Sequence, residues 1–197
     1  MKGKSIIDGH EFVDLGLDVK WATCNIGAER PEDTGDFFAW GELEKKELYV
    51  FDKYAHGYHD ECNYRCFKPL GKDISGSEYD VARAKWGENW RMPTLDDIAD
   101  LIYDCEWEWV ENDQRVGYCV TGPNGNSIFL PAAGCYEDSS RNFRRDIGGY
   151  YWSSCEEEDA HSLTYTFCLV FTEEYVDGEN TYRRHCGYSI RPVTDVK

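Results

Sequence analysis

Apolar and polar positions alternate with a period of two along several short stretches of this chain, and with helical spacing along one. From 163 to 172, Leu163, Tyr165, Phe167, Leu169 and Phe171 alternate with Thr164, Thr166, Cys168, Val170 and Thr172, which predicts a strand with one apolar face. Near the N-terminus, Phe12, Val13 and Leu15 lead into Gly16-Leu17-Asp18. Val19, Trp21 and Thr23 then alternate with Lys20, Ala22 and Cys24, so residues 11 to 24 read as a hairpin. In the middle, Trp107 with Trp109, then Val116, Tyr118 and Val120, then Ile128 with Leu130 mark three strands joined by short polar connections at 112–114 and 122–126. This is an antiparallel meander.

The helical pattern starts at Thr94. With Thr94 as N-cap and Asp96 and Asp97 in the first turn, Leu95, Ile98, Leu101, Ile102 and Cys105 form one apolar stripe. A weaker helix is expected from a Ser77 cap through Tyr79, Ala82 and Trp86 to Gly87. Pro31, followed by Glu32 and Asp33, predicts the first turn of a short one that Gly35 limits. Asp36 to Glu42 reads as a buried, irregular aromatic segment. Strands at both ends with helices grouped between them make the class α+β. No linker of Pro, Gly or Ser divides the chain, so 1–197 is read as one domain with a surface excursion at 43–72. Its C-terminal unit, 148–193, opens on Tyr150-Tyr151-Trp152, carries two loops, and ends on a strand from Gly187 to Val193.

Composition narrows the partners. With 21 basic and 38 acidic residues the formal charge is −17, so nucleic acid and anionic membranes would be repelled, and a protein or glycan ligand, such as one with a basic surface, remains. Aromatics make up 15% of the chain, enough for a core with some left for a surface. Only Ile6-Ile7 stands where an export signal needs a long apolar segment, and no run approaches membrane-spanning length, so no membrane insertion is expected. As written the chain reads as cytoplasmic, and as cell-surface or secreted if cut from a longer parent. Nine cysteines cannot all pair with one another, which fits reduced thiols used as small apolar residues.

Candidate chemistry is sparse. His56, His59, Cys62 and Cys66 offer zinc-type ligands in an H-x2-H-x2-C-x3-C spacing that matches no strong finger pattern, and Tyr58, Tyr64 and Phe67 favour a loop tacked down by aromatics, so no metal or cofactor is expected. His185-Cys186 is poorly placed as a dyad, since neighbours on a strand point to opposite faces. Enzyme activity is therefore not expected. From Cys155 through Tyr182 there are eight acids and no Lys or Arg, whereas Arg141, Arg144, Arg145, Arg183 and Arg184 flank that span. The bland account is a solvated acidic face with arginine counter-ions; Tyr with Arg is also the composition of interface anchors.

The segments Asn89-Trp90-Arg91-Met92-Pro93-Thr94, Tyr151-Trp152-Ser153-Ser154 and Ser189-Ile190-Arg191-Pro192-Val193 resemble the Fibrobacter succinogenes major paralogous domain family. So do the opening HEFVDLGLDVKWATCNIGA, the segment PEDTGDFFAWGE and the run NSIFLPAAG, so the resemblance extends over nearly the whole chain except the excursion after Leu43. The resemblance implies a C-type-lectin-like fold in which N- and C-terminal strands pair, two helices flank the sheet and long C-terminal loops form the ligand face. Relatives of that family include the variable proteins of diversity-generating retroelements, whose C-terminal segment is mutated to change what is bound. Glu156, Glu157, Glu158, Glu173, Glu174 and Glu179 cannot arise from the randomised codons of such a system, so either those six lie outside the randomised codons or this gene is not diversified, and the second reading is favoured. The sugar-binding signature of calcium-dependent lectins is absent, as is the cysteine motif of formylglycine-generating enzymes that share the fold. The resemblance places two loops on one face, and the expected ligand patch is Tyr136, Glu156, Glu157, Glu158, His161, Glu173, Tyr175, Asp177, Tyr182, Arg183 and His185. The function expected is recognition without chemistry, with a purely structural or cell-surface role and a formylglycine-generating-enzyme-like catalyst as the alternatives.

Overall fold

The computed structural model describes residues 5–139, 141–157 and 165–196. At the N-terminus lie three antiparallel strands, β1 (Ser5–Ile7), β2 (His10–Val13) and β3 (Lys20–Ala22). The expected hairpin is β2 with β3, pairing Phe12 with Ala22 and Val13 with Trp21. Three residues are too few to show alternation, which hid β1. Its turn into β2 is Asp8-Gly9, both residues taking the positive φ that a tight hairpin requires. The chain's last strand pairs with β3 rather than with the first strand, setting Val193 opposite Trp21.

Pro31 opens no helix. Residues 30–33 form a single turn in which Arg30 and Asp33 bond each other through backbone and side chain, and the segment after Gly35 becomes the buried aromatic run Phe37 to Trp40. The stretch 43–72 is also more than a surface excursion. A 3-10 turn (Phe51–Lys53) and a small hairpin, β4 (Gly57–His59) with β5 (Arg65–Phe67), bury Tyr49, Phe51, Tyr54 and Phe67 in a satellite core against Phe37, Ala39 and Ala133. Sequence periodicity misses this because four aromatics, spaced without a regular period, carry the burial.

Helix α1 (Val81–Trp86) begins later than expected. Asp80 is its cap, fully buried and accepting the amides of Ala82 and Arg83 as well as those of Gly76 and Met92, while Ser77 shapes the preceding turn. Helix α2 (Leu95–Tyr103) starts at Thr94 as predicted, with a reciprocal capping box between Thr94 and Asp97. The meander follows as β6 (Glu106–Asn112), β7 (Arg115–Thr121) and β8 (Ser127–Pro131) in sheet order β6-β7-β8.

The C-terminal unit contains β9 (Gly148–Glu156), β10 (Tyr165–Thr172) and β11 (Tyr175–Arg183), ordered β11-β10-β9, so the predicted alternating strand is central. Two expectations fail. The second loop, supposed to follow the alternating strand, is β11 itself, joined to β10 by a tight turn at Glu173-Glu174. The strand expected to have one apolar face is buried on both. Cys168 and Val170 pack with Trp152, Tyr188 and α1, while Leu169 and Phe171 pack with Tyr151, α2 and the meander, so β10 lies between two cores. Thr166 is likewise buried.

After β11 the chain runs through the interior as isolated bridges rather than as the regular strand expected over 187–193. Tyr188 pairs with Phe38, Ser189 with Tyr151, and β12 (Val193–Thr194) with β3, completing the sheet order β1-β2-β3-β12. Arg191 fixes this course. Its buried guanidinium donates to Asn25 Oδ1 at 2.8 Å and to the carbonyls of Ala22, Thr23 and Phe129 at 3.1, 2.9 and 3.0 Å. No helix among the described residues is long and apolar enough to cross a membrane. Arg191→Met should strand these acceptors away from water at ~1–3 kcal/mol each and lower stability by about 3 kcal/mol or more. Urea unfolding checks it against Arg30→Met, an exposed control: equal midpoints for the two variants would refute the role given to Arg191.

Candidate functional site

Of the eleven residues expected to form one ligand patch, those that are described do not lie together. Glu158 and His161 fall outside the described residues. In the antiparallel register of β10 with β11, Thr172 faces Tyr175 and Tyr165 faces Arg183, so the two ends of β11 are eight steps apart. At the rise of an extended strand that is about 25 Å. Glu173, Tyr175 and Asp177 occupy one end, where Tyr118 donates its hydroxyl to the carbonyls of Thr172 and Glu173. Glu156, Glu157, Tyr182, Arg183 and His185 occupy the other, and Tyr136 joins them through its backbone bridge to Gly187. The expected loop is a nine-residue strand, and a strand cannot fold its ends together as a loop can.

The second end has a definite construction. Asp138 accepts from His185 Nε2 at 3.0 Å and from Arg183 Nη1 at 3.4 Å, tying the 136–138 turn to the end of β11. The His185 ring meets the edge of Phe51, which also contacts the ring of His59 and lies under the Arg65 guanidinium, 5.0 Å from its centroid. Three separate stretches, 51–67, 136–138 and 183–185, therefore share one rim. Arg183 and Asp138 are about half exposed, whereas the His185 side chain is buried. Tyr136 is half-buried, wedged against Phe37 and Tyr49. Tyr182 is not a free anchor: its ring packs edge-on to Tyr150 and Tyr188.

Glu156 is likewise structural. It is buried and lies 2.7 Å from the guanidinium of Arg184, which sits over the Trp40 ring and donates to the carbonyl of Lys68. Burial pushes the Glu156 carboxyl up and the Arg184 pKa down, and each is partly restored by the charge of the other. The pair fastens the far end of the excursion to β9 beneath the rim. Asp138, Phe51, Arg65 and Arg184 were missed as members of this region. Only Arg184, already noted as flanking the acidic span, had a signal, because the others come from segments that sequence distance separates.

The His and Cys residues of the excursion point apart. His56 Nε2 lies 3.0 Å from the carbonyl of Gly41 with its ring against Tyr54 and Tyr79, whereas His59 faces Phe51. Among the described residues no three His, Cys, Asp or Glu side chains are grouped to hold a metal ion. All nine cysteines are free. Burial holds the thiols of Cys135, Cys168 and Cys186 above their ordinary range, so they stay protonated and poor nucleophiles. Two clefts, of about 580 Å³ beside His10 and Trp86 and about 410 Å³ beside His56 and Tyr79, are lined by none of the eleven expected residues.

Burial lowers the pKa of His185, with Asp138 opposing and Arg183 and Arg65 reinforcing the shift. The unfolded chain therefore takes up the proton first, and the stability owed to neutral His185 is full above its ordinary value of 6.5 and lost as pH falls below it. The gap in melting temperature between the protein and His185→Gln should accordingly narrow from about pH 7.5 to about pH 5.5. A constant gap in thermal melts across that range would contradict the assignment. Addition of EDTA should leave the melting temperature unchanged, and a marked fall together with released zinc would show that His56, His59, Cys62 and Cys66 rearrange around a metal. Comparison of the chain with family models, with curated proteins and with solved structures gave no match.

Proposed function

We propose that this chain is a non-enzymatic recognition module, built on a C-type-lectin-like scaffold of the Fibrobacter succinogenes major paralogous domain type, that binds a protein or glycan through the rim around Asp138. One observation carries the reading: Asp138 joins His185 and Arg183 beside Phe51 and Arg65, so three chain segments present mixed charge and aromatic edges on a rigid base. The scaffold is supported by the pairing of β3 with β12, by α1 and α2 packing on opposite faces of the C-terminal sheet, and by the interior course of 187–194. Recognition without chemistry is supported by thiols kept protonated and by a histidine whose ring is buried and held by a carboxylate.

Of the expected patch, Tyr136, Glu157, Arg183 and His185 belong to this site, with Glu156 and Tyr182 beneath it; Glu173, Tyr175 and Asp177 do not. Because Arg183 and Arg65 are exposed, replacing both by alanine should leave the fold intact. Loss of one anchor-grade contact would weaken binding by about 2 kcal/mol, roughly thirtyfold in Kd. The test is a glycan array and a pull-down, each with the wild type beside Arg65→Ala/Arg183→Ala. Equal retention of the same ligand by both proteins would place the site elsewhere.

A further inference from the structure

A second surface lies at the opposite end of β11, between that strand and α2. Its floor is apolar, made by Ala99 and Ile102 of α2 and Val176 of β11, and Tyr103, 78% exposed, also lines it. Gly178 lets helix and strand come close, since a Cβ there would stand 2.8 Å from Ile102 Cδ1 and Ile98 Cγ2. The groove holds about 180 Å³, which suits one inserted side chain rather than a metabolite.

Its electrostatics are one-sided. Asp177 and Glu179 line it from the strand, and no lining residue is basic. Helix α2 carries Asp96, Asp97 and Asp100, ends on Asp104, and has no basic residue in its last turn. A helix C-terminus exposes carbonyl oxygens whose partial negative charge a cation ordinarily complements, and here acid stands in that place. These helix acids do not line the groove themselves, but they crowd α2: the Asp100 carboxyl is pushed up first by burial and then by Asp18, Asp104, Asp97 and Asp96. Arg91, which meets Asp97, is also engaged by Asp195. The cations that would balance this groove are thus missing from the residues that line it.

The strand edge limits how a partner can bind. β11 is the outer strand of its sheet, but a register shift interrupts it near Gly178, and Asp177 Oδ1 accepts the amide of Glu179 at 2.8 Å. A continuous added strand is therefore blocked, and side chains must supply the contacts.

We propose that this groove docks an extended, lysine- or arginine-rich segment of a partner protein, which inserts one apolar side chain over Ile102 and Val176 and lays its cations against Asp177, Glu179 and the acidic end of α2. The inference is independent of the rim around Asp138. The probe is a fluorescein-labelled peptide of alternating Lys and Leu, with a Glu-for-Lys version as its counterpart, followed by anisotropy on the full chain. A saturable rise with the Lys peptide alone is expected, weakening with added salt. Asp104→Lys/Glu179→Lys should weaken it roughly tenfold, and Ala99→Leu, which fills the floor without changing charge, should do the same. Glu29→Lys/Glu47→Lys, exposed acids elsewhere that alter net charge equally, should stay within about twofold. Equal weakening by the two charge pairs would assign the attraction to the chain's overall charge of −17 and overturn the proposal. An unaffected Ala99→Leu, or no saturable rise, would overturn it as well.

Discussion

The buried guanidinium of Arg191 is the interaction on which the arrangement depends. A charge without a carboxylate partner is costly in an apolar interior, and burial does lower its pKa. The cost is offset by four hydrogen bonds to oxygens drawn from three places: the end of β3, the turn at Asn25, and β8. Asn25 in turn donates to the carbonyl of Thr34 and to the Tyr151 hydroxyl, and Tyr151 donates to the carbonyl of Pro131. One side chain near the C-terminus thereby locks the N-terminal sheet, the meander and the central sheet into one body. Lysine, a point charge without the planar fork, could not reach all four acceptors.

The C-terminal segment can run through the interior because it is held there by others. Tyr188 stacks on Trp152, whose indole donates to the carbonyl of Phe38, and the indole of Trp40 donates to the carbonyl of Ser153. The irregular aromatic run 37–40 thus acts as a third partner for β9 and the closing segment. This explains why β10 has no solvated face: one side meets Trp152 and α1, the other α2 and the meander. A central strand covered on both faces tolerates little change, and the exposed positions lie on the edges and turns around it.

The two candidate surfaces differ in the same physical terms. At the rim around Asp138, charges of both signs are already paired and rest on buried groups, the His185 ring and the Glu156–Arg184 pair, so its geometry is fixed by the protein itself. At the α2–β11 groove, acid stands over an apolar floor with no basic side chain among the described residues that line it.

Local patterns determined what depends on neighbours in sequence. The Thr94 capping box, the α2 stripe, the meander, the β2–β3 hairpin and the burial of Trp21 and Trp152 all follow from periodicity or from side chains a few residues apart. Tertiary structure decided the rest. Whether 173–185 was loop or strand turned on pairing with β10, because its Tyr, Asp and Glu residues read equally well as a polar loop. The depth of the excursion turned on the aromatic run just before it and on Ala133, far along the chain. Cys168, polar by pattern, is buried because a second core forms over it, and Thr166 is buried opposite Glu156 of β9. The site was legible to the same degree: Tyr136, Arg183 and His185 were found by residue type, but Asp138, Phe51 and Arg65 were brought beside them only by folding. Composition names the groups a chain can offer, and three-dimensional proximity selects which of them meet.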